Sequence, residues 1–115
     1  MTPAQISKHC LSLPGAELSI KWGDDHCYVV AQKMFAAHGS TGEGLSFKCS
    51  SDAFTMLVES GLAIPAKYLA RAHWVTVNRT ALPASELKQR LTQAYAIVRS
   101  GLPRKVQAAL PPFPD

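Results

Sequence analysis

"ELSIKWGDDHCYVVAQKMFAAHGSTGEGLSFKC", residues 17–49, decides the fold. In ELSIKW, Leu18, Ile20 and Trp22 fall on one side, with Glu17, Ser19 and Lys21 opposite. In LSFKC, Leu45, Phe47 and Cys49 share one side. A period of two is that of a strand with one buried face. Gly23-Asp24-Asp25 between them is turn chemistry, because Gly accepts positive φ and Asp bonds to neighbouring backbone. CYVVAQ is rich in strand formers. KMFAAH follows so closely that either a tight turn near Gln32-Lys33 separates two strands or the two form one bent strand. GSTGEG is a loop. The stretch predicts an antiparallel meander of three or four strands.

Helical periodicity appears on both sides of the meander. Thr2, Pro3 and Gln5 make a capping box with Pro at the first helical position, and Ile6, Cys10 and Leu13 follow at helical spacing before Pro14-Gly15. Phe54, Leu57 and Val58 form a second stripe, which Asp52 can cap and Gly61 ends. IPAKYLARA predicts a short helix after Pro65. HWVTVN is a further strand, with Trp74, Thr76 and Asn78 opposite His73, Val75 and Val77. Pro83 then opens the strongest helix, on which Leu87, Leu91, Ala94, Tyr95 and Val98 lie along one face. A last short helix is expected over 103–110. SGL occurs at 60–62 and at 100–102, each time as a helix stop, Gly followed by a Leu that packs back. With no linker in view, the expected organisation is one domain over 1–110 and a Pro-rich tail over 111–115. Trp22, Trp74 and the 84–99 helix are expected to carry the fold.

A chain of 115 residues can bury a real core without disulfides or metal. Its three cysteines, Cys10, Cys27 and Cys49, are odd in number and widely spaced, which argues against a disulfide framework and for reduced, buried thiols in a cytoplasmic protein. MTPAQISKHC has neither the basic start nor the apolar run of a signal peptide. No stretch reaches the roughly 18 apolar residues of a membrane span. The net charge of +4 suits a polyanion partner.

The residue types in WGDDHC are those of metal and catalytic sites, but their placement is wrong for either. His26 and Cys27 are neighbours on a strand and leave opposite faces. His9 and Cys10 are neighbours on a helix, about 100° apart around its axis. Metal ligands must converge on one point. Asp24 and Asp25 at an exposed turn lack the environment that separates the pKa values of a catalytic pair. Gly39 and Gly44 stand at phosphate-loop separation, yet Leu45 occupies the position of the phosphate-binding Lys, and a strand follows rather than a helix. No G-x-S-x-G elbow occurs. The sequence thus supports no enzyme class, and no metal or cofactor is expected.

One sheet face covered by helices leaves the other to solvent. The uncovered face is expected to hold Tyr28, Val30, Phe35, His73, Val75 and Val77, among Lys21 and Lys48. Such an apolar face can bind a ligand, pair with another subunit or stack bases, unless a loop or the tail covers it. Tyr28, Phe35 and His73 are its candidate contacts.

LPGAELSIKWG, MFA, LSFK, IPAKYLARAHWVTV and LKQRLTQAYAIVRSGLPRK, in that order, resemble the MmcQ/YjbR family of small bacterial proteins over about residues 1–110. The Trp22-Gly23 corner, the Trp74-Val75 strand start and the pair Tyr95 and Val98 carry the resemblance. It departs at Ala94, where members commonly have Ser. The resemblance implies an α+β fold, an antiparallel sheet packed against helices on one face, similar to the CyaY (frataxin-like) architecture. It also implies a suggested DNA-binding role through paired hairpins. The iron handling of frataxin-like proteins uses acidic surfaces and does not carry over, since the first helix here has no acid. Lys33, Lys48, Lys67, Arg71 and Arg79 are the candidate contacts to DNA. A charge of +4 implies about 3–5 phosphate contacts and weak, largely sequence-independent binding. The expected function is that of a non-enzymatic binding protein for DNA or, alternatively, a small-molecule or protein-interaction module using the sheet face. The expected state is a monomer, with the sheet face available for a homodimer.

Overall fold

The computed structural model describes residues 1–113. The end of the expected tail, Pro114 and Asp115, lies outside the described residues. The elements are α1 (Pro3–Ser12), β1 (Ala16–Lys21), β2 (Asp25–Val30), β3 (Lys33–His38), β4 (Gly44–Lys48), α2 (Ser51–Glu59), β5 (Ala63–Pro65), a 3-10 turn (Ala70–Ala72), β6 (Trp74–Asn78), α3 (Ala84–Ser100) and α4 (Arg104–Ala109). The six strands make one antiparallel sheet in the order β1-β2-β3-β4-β6-β5. The four-strand meander and all four helices agree with the periodicity. The capping box is present: the Gln5 amide donates to the Thr2 hydroxyl at 3.1 Å, and the Thr2 amide donates to the Gln5 side chain at 2.9 Å.

The strand registers sort the side chains into rows. Leu18, Tyr28, Ala36, Phe47, Val75 and Pro65 lie opposite one another across the six strands, and Ile20, His26, His38, Leu45, Val77 and Ala63 form the parallel row. These rows face the helices. Ile6 and Cys10 of α1, Leu57 of α2 and Leu87, Leu91, Ala94 and Tyr95 of α3 pack with their central members into one core. Phe35 and Tyr95 meet edge to face at 5.6 Å between ring centroids, a geometry aromatic quadrupoles favour. The Tyr95 hydroxyl donates to the Pro14 carbonyl at 2.6 Å and accepts from Arg99 at 2.8 Å, which ties α3 to the α1–β1 corner.

Several expectations are corrected. Tyr28 and Phe35 lie under the helices, fully buried, with Val30, Val75 and Val77. For Phe35 the cause is a bulge: Tyr28 pairs with Ala36 but Val29 pairs with Met34, so Phe35 is the extra residue and turns to the core beside Ala36. β2 is apolar on both faces, and alternation cannot choose between them. Next, Leu18 and Ile20 are 41% and 52% exposed, because β1 is an edge strand whose core-side residues extend past the helices. Trp22, expected to support the fold, is 74% exposed. Finally, the helix expected after Pro65 is replaced by β5 before it and the 3-10 turn beyond it. His73 follows that turn with a left-handed backbone, φ 59°, so it sits off the sheet face with its ring against Phe54. Phe113, expected in the tail, docks on α3 with its ring 4.8 Å from that of Tyr95.

The face of α3 sets a direct test. Leu91 is fully buried and Gln89 is exposed. Leu91→Ala should cost about 2–5 kcal/mol. Gln89→Ala should cost under about 0.5 kcal/mol. Equal shifts of the urea midpoint would show that the stripe is misplaced.

Candidate functional site

The open face owes its shape to one row of small side chains. Ser19, Cys27, Ala37, Ser46 and Thr76 stand opposite one another across β1, β2, β3, β4 and β6. The Ser46 and Thr76 hydroxyls bond to each other at 2.8 Å, so each is satisfied without a large partner. Larger residues rise around this floor. Met34 and Trp74 belong to the sheet, Trp22 and Asp25 to the β1–β2 corner, and Ala66, Lys67, Tyr68 and Leu69 to the segment after β5. Together they enclose a groove of about 540 Å³, within the range of small-ligand sites.

The wall beyond β5 is held by the strand that paves the floor. The Ala66 amide donates to the Trp74 carbonyl at 2.9 Å, and the Trp74 amide donates to the Leu69 carbonyl at 3.2 Å. The wall shields Trp74, which is only 4% exposed although it points away from the main core.

Two aromatic side chains on this groove are left in solvent. Trp22 is 74% exposed and Tyr68 90%. Both have left-handed backbone, φ 50° and 68°. That conformation suits Gly and costs about 1–2 kcal/mol for a residue with a Cβ. Large apolar side chains at strained, exposed positions oppose folding economy twice over, and strain of this kind clusters at ligand clamps. The two residues come from opposite ends of the strand order, β1 and β5, and converge on one groove.

The five expected DNA contacts do not form one patch. Lys33 and Lys48 share a shallow depression beside the end of α3. Lys48 Nζ donates to the Ala72 carbonyl, next to Arg71. Lys67 lies over the Tyr68 ring at 5.3 Å, at the groove itself. Strand direction places these four toward one end of the sheet. Arg79 lies at the other end, past Asn78. One guanidinium nitrogen donates to the Met1 carbonyl at 3.1 Å, while Nε is buried without a partner. The β3–β4 loop carries no base. Its Glu43 side chain accepts from Asn78 at 2.8 Å, and its backbone carbonyl accepts from the Arg79 amide at 2.8 Å. A wing entering a groove of DNA needs positive charge at its tip, and this loop offers a carboxylate. Of the three sheet-face candidates, none lines the groove. The exposure of Trp22 was hidden by its place in an alternating run, and Tyr68 by a segment that reads as helix.

The residues that suggested chemistry are otherwise engaged. His26 and Cys27 leave opposite faces, as expected of strand neighbours. Tyr28 OH and His38 Nε2 lie 2.8 Å apart, and His38 Nδ1 lies 2.8 Å from the Gly39 carbonyl. The carbonyl requires the proton on Nδ1, so Nε2 accepts from Tyr28. Burial pushes the Tyr28 phenol up, which keeps its proton available for that bond. Burial also raises the thiols of Cys27 and Cys49, and pushes Cys10 up to about 12. Among the described residues no three His, Cys, Asp or Glu gather as a metal site, and no helix is long and apolar enough to cross a membrane.

An antiparallel sheet with helices on one face and an aromatic-rimmed groove on the other defines a small α+β domain. The YjbR family model matches residues 11–97, and the chain belongs to the YjbR family. Among solved structures, a crystal structure of the Deinococcus radiodurans protein DR2400, with a domain labelled DUF419, is similar at a TM-score of 0.84. It is 23% identical, over 93% of this chain and 86% of that one, and shares the fold. No curated protein matches the chain.

Two outcomes follow from this geometry. Trp22→Gly removes backbone strain and an exposed side chain, so its melting temperature should equal or exceed that of the native sequence. A clear drop would make Trp22 part of the core. The folded state also holds the Cys10 proton to about 12, whereas the unfolded chain releases it near 9.0. Base therefore favours unfolding, and stability should fall as pH rises through that window. Urea midpoints measured between about pH 8 and 10 should fall less steeply for Cys10→Ala.

Proposed function

We propose that this YjbR-family protein is a non-catalytic binding module that takes single-stranded nucleic acid across the open sheet face. Bases stack on Trp22 and Tyr68, and phosphates meet Lys67, Arg71 and Lys33. The observation that carries this reading is the pair of exposed aromatics, held by left-handed backbone at the rim of one groove, with basic residues toward one end. Stacking platforms beside cationic residues are the common means of holding a single strand, because every base has a flat face. The small floor row leaves room for a ring to lie flat. The raised thiols and the mutually bonded Ser46 and Thr76 hydroxyls support a binding role over a nucleophilic one.

The groove volume favours one second reading, a small planar ligand of mononucleotide size. The two readings differ in what the basic end does. A strand spanning beyond the groove engages Arg71 and Lys33, while a small ligand does not reach them.

Fluorescence anisotropy with a labelled oligothymidylate, a labelled duplex and a labelled adenine mononucleotide separates them. The oligothymidylate should bind more tightly than either. Its affinity should fall with salt at a slope near −2, as about three phosphate contacts on a single strand require. Trp22→Gly and Tyr68→Gly should each weaken binding by about tenfold, the worth of one stacked base. Arg71→Ala should reduce the slope magnitude by about 0.7. Tighter binding of the mononucleotide would establish the second reading. Duplex binding untouched by both aromatic variants would return the function to the hairpins. No binding of any probe at low salt would end the nucleic-acid reading.

A further inference from the structure

The two edges of the sheet are unlike. At one edge, β5 has three residues and ends in Pro65, which has no amide proton to offer. Short edges and prolines are the usual protection against strand addition. At the other edge, β1 runs for six residues without a proline and pairs on one side only, with β2. Its core-side residues Leu18 and Ile20 are 41% and 52% exposed, and neighbouring α1 leaves Leu11 in solvent as well. Charged residues on an edge strand ordinarily repel a second strand. The order of the charges here does the reverse.

The sequence A-E-L-S-I-K of β1 is complementary to itself when read antiparallel about Ser19. A twofold axis at Ser19 places Glu17 opposite Lys21 of a second copy, twice, on the open face. The same axis places Leu18 opposite Ile20 of that copy, twice, on the helix face. Ser19 meets Ser19, a pair small enough to sit on the axis. Opposite charges and apolar pairs directly across strands are both stabilising, and a twofold interface requires this self-complementarity.

We propose that two copies of the chain associate through β1, edge to edge, to form one continuous twelve-stranded antiparallel sheet. The contact is one strand long. It buries less than the roughly 1,200–2,000 Å² of a stable complex, so the dimer is weak and dependent on concentration. The alignment leaves the open faces of both copies on the same side of the joined sheet. The proposal stands apart from the groove and its ligand.

The test is a charge swap read by sedimentation equilibrium. The native protein should rise from the 12.4 kDa of one chain toward twice that mass as concentration increases. Glu17→Lys places two Lys pairs across the axis, and Lys21→Glu two Glu pairs. Each should weaken association about tenfold or more, since attraction becomes repulsion at two symmetric places. The double variant E17K/K21E restores the pairing and should dimerise like the native chain. An equimolar mixture of the two single variants should form a heterodimer when neither forms a homodimer. Unchanged melting temperatures establish that all variants fold. A native mass of one chain at the highest attainable concentration overturns the proposal. So does a dimer that both single variants retain, or a double variant that fails to recover.

Discussion

The one-sided burial of the sheet by α3 is the constraint on which the other features rest. Leu87, Leu91, Ala94 and Tyr95 of α3 pack with the Tyr28, Ala36, Phe47 and Val75 row, and a strand turns alternate residues to opposite faces. Once that row is committed, Cys27, Ala37, Ser46 and Thr76 have to face outward. The floor of the groove is therefore the complement of the core, specified by the same register. A slip of one residue in β3 or β4 would exchange floor and core together.

The bulge in β3 lets both properties coexist. Phe35 and Ala36 turn consecutively to the helices. The core gains an aromatic ring against Tyr95 while Met34 and Ala37 remain on the open side. Without the extra residue, Phe35 would project into the groove and Met34 into the core. The sheet would keep its order but lose the shallow trough beneath Trp22 and Tyr68.

The strands, their antiparallel order through β4, and the apolar stripe of α3 were legible because alternation and helical spacing are local signals. Face assignment was not. Cys27, Tyr28, Val29 and Val30 are apolar without interruption, and only the pairing with β3 separates Tyr28 from its neighbours. β5 escaped notice because three residues carry no measurable period. The groove was less legible than the strands that floor it. Strand alternation suggested an apolar face among Lys21 and Lys48, and of the groove's lining only Lys67 was a candidate contact, as a DNA-binding residue. Trp22 and Tyr68, however, line the groove through left-handed backbone that a non-glycine residue rarely adopts. Arg79, a basic residue near a strand end, gives one guanidinium nitrogen to the Met1 carbonyl, away from the other four candidates.

Trp74 joins two roles that binding proteins often assign to separate residues. Its ring paves the groove, and its amide and carbonyl hold Leu69 and Ala66, the root of the opposing wall. Aperture and base are thus set by a single link in the chain. The mouth cannot widen toward a bulkier guest unless those two backbone bonds part, and parting them lifts the cover from an otherwise buried indole. The width of the groove is therefore set by the main chain here, and side-chain substitutions along the rim leave that gauge unaltered.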